Sequence, residues 1–153
     1  MITILPINTE RTYEIRKKVL RNNINLPIQF IGDFDENTFH LGIFKNKILA
    51  GIITLMKNKG VAVEGSQYQL RGMAIKKEFQ NQGLGKHLLL EVETILKQKK
   101  CTVIWCNARI IALPFYKKLK FKVIGNEFDI PKIGLHFKMY KTLKNNKFAF
   151  AEK

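Results

Sequence analysis

The sequence predicts an α/β fold: a mixed α+β sheet with helices on both faces, in one domain over residues 1–143. Three observations point there. Apolar alternation dominates the first half, in Ile2–Ile7, Phe39–Phe44 and Ile48–Met56. From Gln67 onward, strand-like and helix-like segments alternate. Between them, two glycines, Gly83 and Gly85, sit where a strand and loop give way to a long amphipathic run.

The elements follow in order. Ile2–Ile7 alternates as a strand. Asn8 or Thr9 can cap a helix that begins near Glu10. That helix turns Tyr13, Ile15, Val19 and Leu20 to the core and leaves Arg11, Arg16, Lys17, Lys18 and Arg21 outside. Asn22-Asn23 and then Pro27 end it, and Pro27–Thr38 reads as irregular, with Gly32, Asp33, Asp35 and Glu36. Phe39–Phe44 and Ile48–Met56 form a hairpin across Lys45-Asn46-Lys47. Lys57–Gly60 is a turn, Val61–Ser66 fits no one pattern, and Gln67–Ile75 is a strand. The helix Leu84–Lys100 places Leu84, Leu88, Val92, Ile95 and Leu96 on one face, with Lys97, Lys99 and Lys100 at its electronegative end. Val103–Cys106 is a strand with Asn107 at its end, followed by a short helix holding Tyr116. Phe121–Gly125 and Leu135–Tyr140 are the last two strands, and residues 144–153 form a polar tail with Phe148 and Phe150.

A chain of 153 residues with 46% hydrophobic content suits one domain with a real core. No apolar run reaches the length of a membrane span, and Met1–Pro6 reads as a strand rather than a signal peptide. Cys101 and Cys106 flank one strand and are expected as reduced thiols in a cytoplasmic protein. The net charge of +15 is spread along the chain, which fits compositional bias or attraction of anionic ligands better than a nucleic-acid partner. No metal is expected.

The loop Gln80-Asn81-Gln82-Gly83-Leu84-Gly85-Lys86 carries the strongest functional signal. Glycine lets a backbone approach a ligand closely, and a helix start offers unpaired N–H groups with partial positive charge. Together they suit a pyrophosphate. Two nucleotide motifs fail on spacing. A phosphate-binding G-x-x-x-x-G-K-[ST] loop would need Gly at Gln80 and a hydroxyl at His87. The dinucleotide fingerprint starts at Gly83 and Gly85 but meets Leu88 where a small residue belongs. Q-x-x-G-x-G remains.

That motif is followed by Trp105-Cys106-Asn107-Ala108-Arg109, Ala112-Leu113-Pro114-Phe115-Tyr116 and Leu119-Lys120-Phe121. The combination resembles the GNAT superfamily of N-acetyltransferases, most closely from Leu70 to Leu143. With Arg71-Gly72-Met73-Ala74 and Gly134-Leu135-His136 it also resembles an uncharacterised bacterial subgroup. The resemblance implies a mostly antiparallel mixed sheet with a splayed central pair of strands. It implies acetyl-CoA as cosubstrate, with backbone groups of Met73, Ala74 and Ile75 on the pantetheine and acetyl carbonyl. Amides of Gln80, Asn81, Gln82, Gly83, Leu84, Gly85 and Lys86 would take the pyrophosphate, and Asn107 would help position the cofactor; Asn107 can also cap a helix starting at Ala108, and both roles can hold at once.

Tyr116 matches the superfamily tyrosine that protonates the departing thiolate, a task for a phenol that stays protonated at neutral pH. The general base is less defined: Glu64 precedes the central strand, while His40 and His136 are candidates for the acceptor pocket. Asp33 and Asp35 could meet an acceptor amine. The resemblance implies direct acetyl transfer to a primary amine in a ternary complex. The positive charge favours a small amine that also carries a carboxylate or phosphate; protein amines and a homodimer stay open. The competing reading is a basic module on the same fold that binds coenzyme, nucleic acid or protein without catalysis. One departure stands out: Lys120 occupies a position where the superfamily usually has Gly, at the end of the short helix.

Overall fold

The structure, a computed structural model, describes residues 1–144. Apart from Lys144, the predicted tail over 144–153 lies outside the described residues. Eight strands form an open mixed sheet: β1 (Ile2–Ile7), β2 (Phe39–Lys45), β3 (Ile48–Met56), β4 (Gln67–Ile75), β5 (Val103–Arg109), β6 (Lys122–Val123), β7 (Phe128–Ile130) and β8 (Gly134–Thr142). Their hydrogen-bonded order is β1-β2-β3-β4-β5-β8-β6, with β7 also paired to β8. The chain forms two compact units, one of residues 1–57 and 70–91, the other of residues 58–69 and 92 onward.

In the first unit, β1, β2 and β3 are antiparallel neighbours. The β2–β3 turn has Asn46 and Lys47 at φ 49° and 69°. Two successive left-handed residues give the turn that matches the natural strand twist. The core joins Ile15, Ile52 and Ala74, with Ile7, Val19, Leu20 and Leu49 packed around them. The first helical segment starts as predicted: Asn8 Oδ1 accepts from the Arg11 amide at 3.2 Å. It then passes through a 3₁₀ turn (Thr9–Thr12), a single turn α1 (Tyr13–Ile15) and a π turn (Arg16–Leu20).

Here one expectation fails. Arg16, predicted to face solvent, is 0% exposed. Its guanidinium is paired with Asp33, so the charge is buried with a partner rather than alone. Amphipathic patterning assigns charge to the outside and cannot see a carboxylate 17 residues away.

In the second unit β8 runs antiparallel to β5, from Val103↔Thr142 to Arg109↔His136, and the start of β4 pairs in parallel at Gln67, Tyr68 and Gln69. Val61, Val103 and Trp105 form its core with Val63, Ile124 and Tyr140. The segment after Lys57 is irregular but tied down. Gln67 Oε1 accepts from the Gly60 and Val61 amides, its Nε2 donates to the Val61 and Val63 carbonyls, and Trp105 Nε1 donates to Asn58 O at 2.8 Å. Three expectations are corrected. β5 continues to Arg109, so Asn107 lies within the strand rather than at its end. A three-residue strand, β7, occupies the predicted link between the last two strands, while the strand after Phe121 shortens to Lys122–Val123.

Helix α2 (Leu84–Gln98) buries Leu84, Leu88, Leu89, Val92 and Leu96. Leu89 thus joins the predicted face, while Ile95 is only half-buried. Glu93 on α2 is also buried, neutralised by Lys141 Nζ at 2.9 Å. Both α2 and the short helix α3 (Leu113–Lys118) end in one device. In α3 the Phe121 amide donates to Tyr116 O and the Lys120 amide to Lys117 O, each at 3.0 Å. In α2 the Cys101 amide donates to Leu96 O and the Lys100 amide to Lys97 O. This paired pattern requires a left-handed residue after the cap, usually glycine. Here it is lysine both times, Lys100 at φ 61° and Lys120 at φ 73°.

The expected superfamily departure at Lys120 is therefore a strained position. Lys120→Gly should stabilise the fold by about 1 kcal/mol, read as a melting temperature about 2–4 °C higher. An unchanged or lower melting temperature would show that lysine adopts this conformation without cost.

Candidate functional site

The glycine loop is built by β4 and α2 of the first unit. A 3₁₀ turn (Lys77–Phe79) follows β4. Gln80 then folds its side chain back, and Nε2 donates to Ile75 O at 2.9 Å. The Gln80 amide itself already donates to Lys77 O, so Gln80 braces the loop rather than offering an N–H. Asn81 and Gly83 take left-handed conformations, φ 62° and 78°. A Cβ at Gly83 would meet nothing within 4 Å, so the glycine serves backbone conformation and leaves an open surface. The first ladder bond of α2 runs from the His87 amide to Gly83 O. The amides of Leu84, Gly85 and Lys86 precede that ladder and form the helix's electropositive end. Lys45 of β2 reaches the loop and donates to Gln82 Oε1. Lys45 and the exposed Lys86 are side-chain cations at an amide cradle.

On β4, next to that loop, the Ala74 side chain packs on Ile15 and Ile52, and the Lys76 amide donates to Ala50 O at 2.8 Å. Met73 and Ile75 are half-buried. One strand end therefore leads directly into the cradle, with Gln80 as the tie.

In the second unit Tyr116 is 7% exposed. Its ring packs on Phe115 and Phe121, at centroid distances of 5.1 and 5.3 Å. Phe121 belongs to the helix-end device described above, so the cap also fixes the tyrosine ring. Its hydroxyl hydrogen-bonds to the Cys106 thiol. Burial, then the Cys106 neighbour, raises the phenol well above its ordinary pKa. Burial likewise pushes the Cys106 thiol up to about 12, against a smaller opposing pull from the Tyr116 hydrogen bond. Both groups therefore hold their protons at neutral pH. Asn107, next along β5, is exposed and stands opposite Lys138 in the β8 register. The helix-cap alternative for Asn107 does not hold, because Arg109 occupies the cap position.

The remaining candidates separate. Glu64 is exposed in the irregular segment before β4. His136 is buried with Nδ1 at 2.7 Å from Gly134 O, and its ring lies 5.9 Å from Phe128. Asp35 is exposed. Asp33 and His40 belong to a buried network that periodicity could not reveal.

Arg16 Nη1 and Nη2 grip the Asp33 carboxylate at 2.8 and 2.9 Å; Nη1 also donates to Ile28 O and Nη2 to Thr54 Oγ1, each at 2.9 Å. Burial alone would raise the Asp33 carboxyl, but the Arg16 hydrogen bonds, the Phe30 amide and the Arg16 charge hold it below its ordinary value. His40 Nε2 faces Asp33 O at 3.1 Å, and a carbonyl only accepts, so Nε2 carries the proton. Nδ1 then accepts from Thr54 at 2.7 Å. Burial, chiefly, lowers the His40 pKa and keeps the ring neutral. Among the described residues no cluster of three or more His, Cys, Asp or Glu could hold a metal ion.

Comparison with known proteins decides the family. The acetyltransferase (GNAT) domain matches residues 12–143. This chain belongs to the GNAT acetyltransferase family. It is 36% identical over 149 residues to an uncharacterised N-acetyltransferase, YitI, of Bacillus subtilis, covering 96% of this chain and 100% of that one. It is 28% identical over 125 residues to the spermidine N(1)-acetyltransferase of Thermoplasma acidophilum, covering 78% of this chain and 68% of the other. The fold also matches an aminoglycoside 6'-N-acetyltransferase solved with coenzyme A, at TM-score 0.74 and 12% identity, over 93% of this chain and 97% of that one. The GNAT chain is thus an acyltransferase of the N-acetyltransferase type. Among the described residues no helix is long and apolar enough to cross a membrane.

The His40 network sets a pH dependence. Its pKa is lowered on folding, so below about 6.5 the unfolded chain takes up a proton that the folded chain refuses. Stability should therefore fall as pH drops through this window, measured by denaturant unfolding at about pH 7.5 and about pH 5.5. His40→Gln should flatten the difference. Asp33, lowered in the fold, contributes only in more acid solution, below its ordinary 3.8. Equal slopes for both proteins would remove His40 as the cause.

Proposed function

We propose that this GNAT protein transfers the acetyl group of acetyl-CoA to a primary amine by direct attack within a ternary complex. The observation that carries this reading is the cradle after β4, in which two left-handed residues, Asn81 and Gly83, lead into the electropositive start of α2. In this reading the amides from Asn81 to Lys86 bind the pyrophosphate, and Lys45 and Lys86 add charge. Gln80 contributes by keeping the loop tied to Ile75. Backbone groups of Met73, Ala74 and Ile75 align the pantetheine and the acetyl carbonyl, while Asn107 helps position the cofactor.

The acceptor must arrive as a neutral amine, and Glu64 takes its proton through water. The amine attacks the thioester carbonyl; a new C–N bond forms as the C–S bond breaks. The departing thiolate receives a proton from the Tyr116 hydroxyl. A phenol whose pKa is raised by burial stays protonated until that moment, and regains its proton readily afterwards. The protonated state of Cys106 supports direct transfer over a covalent acetyl-enzyme.

Release of CoA from acetyl-CoA, followed across a library of primary amines, tests the reaction. Tyr116→Phe should lower kcat by ~10²-fold while the Kd for acetyl-CoA stays within about twofold. Full turnover by the phenylalanine variant would remove Tyr116 from the acid role.

A further inference from the structure

Three guanidinium groups converge on one aromatic ring in the first unit. Arg16, Arg71 and Arg21 stand 3.8, 4.4 and 5.6 Å from the Phe30 centroid. Arg16 is committed to Asp33 through both terminal nitrogens. Arg21 Nε donates to Pro27 O at 3.1 Å. Arg71 differs: among the described residues its guanidinium has no carboxylate and no hydrogen-bond acceptor. It is half-buried, which lowers its pKa, and the charges of Arg16 and Arg21 act in the same direction, opposed only by Asp33. The charges acting on Arg71 are thus two cations and one carboxylate that Arg16 already holds. A partly desolvated cation beside like charges is costly unless an anion completes the arrangement.

The backbone keeps this arrangement open. Gly72, between Arg71 and Met73, has φ +60°. A Cβ there would come within 2.8 Å of Phe30 Cε2 and 3.5 Å of Arg16 Nε. Only glycine accepts both that conformation and that approach. The buried Arg16 Nε–H beside it is a donor without a partner among the described residues. An unpaired fork of donors on Arg71, a flat ring behind it and a second orphan donor nearby suit a planar or tetrahedral oxyanion.

We propose that Arg71, seated over Phe30, binds the anionic group of the acceptor, so that the substrate class is small primary amines bearing one carboxylate or phosphate. This rests on the acetyltransferase reading above, which puts the acetyl group at the backbone near Met73. Arg71 precedes Met73 by two residues, at most about 7 Å of chain. The anion and the reacting amine are therefore separated by only a few bonds, as in short amino carboxylates and aminoalkyl phosphates. Polyamines carry the wrong sign for this wall.

The test measures acetyl-CoA binding to the full chain, then CoA release with matched acceptors. Short amino carboxylates and aminoalkyl phosphates are each compared with their neutral amide or alcohol counterparts, and spermidine is included. The anionic member of each preferred pair should show kcat/KM higher by about 10- to 100-fold, the loss expected for one charge-assisted pair. The carboxylate and phosphate arms identify which anion is bound. Arg71→Met should abolish that preference mainly through KM, with the acetyl-CoA Kd unchanged. Arg71→Lys should recover part of it, and its acetyl-CoA Kd verifies the fold if the methionine variant is unstable. A best substrate that is neutral or a polyamine, or an anion preference that survives Arg71→Met, overturns the proposal while leaving acetyl transfer standing. Absence of both acetyl-CoA binding and CoA release overturns both readings.

Discussion

The buried pair of Arg16 and Asp33 is the constraint on which the first unit depends. Two bonds join the guanidinium to the carboxylate, and the remaining terminal N–H groups reach Ile28 O and Thr54 Oγ1. Asp33 in turn accepts from the Phe30 amide at 2.8 Å, while its carbonyl oxygen receives His40 and Thr9. One ion pair therefore fastens the first helical segment, β2, β3 and an irregular stretch with no ladder of its own. Removing either partner would leave a buried charge unmatched, a loss of several kcal/mol, about 3–5 in comparable cases. The pair also holds Phe30 where Arg71 can stack, so stability and the proposed acceptor wall have the same source.

Much of the fold was legible because burial and period agree. β1, β2, β3 and β4 alternate or run apolar between polar turns, and Lys45-Asn46-Lys47 has the residues a tight hairpin tolerates. The glycine loop was legible because a strand-to-helix junction favours a left-handed residue, here Gly83. Arg16 was not, since its partner sits in a segment without periodicity. The stacking of Arg71 on Phe30 is not legible for a similar reason: only the approach allowed by Gly72 makes them neighbours. β7 is three residues long, too short for any pattern, and Asn107 in β5 mimics a strand end because asparagine favours turns. The catalytic candidates divide the same way. Tyr116 could be placed by its surroundings, whereas Glu64 lies in a segment whose structure comes from Gln67 and Trp105 rather than from its own sequence.

Both helix ends accept strain that glycine would relieve. At α3 the consequence reaches Tyr116, because the bond from the Phe121 amide to Tyr116 O sets the tyrosine backbone while the Phe121 ring sets its side chain. In the proposed reaction the acid, Tyr116, is positioned by a cap, and burial holds its proton. At the proposed cradle the reverse holds: the backbone at Gly83 is left open, and the coenzyme's pyrophosphate would supply what the amides lack.

The most direct measurement is a titration of backbone amide resonances with coenzyme A. The largest shifts are expected at Gly83 to Lys86, with smaller ones at Met73 to Ile75. Saturable coenzyme A binding that leaves the Gly83–Lys86 amides unmoved would contradict the cradle and the function built on it.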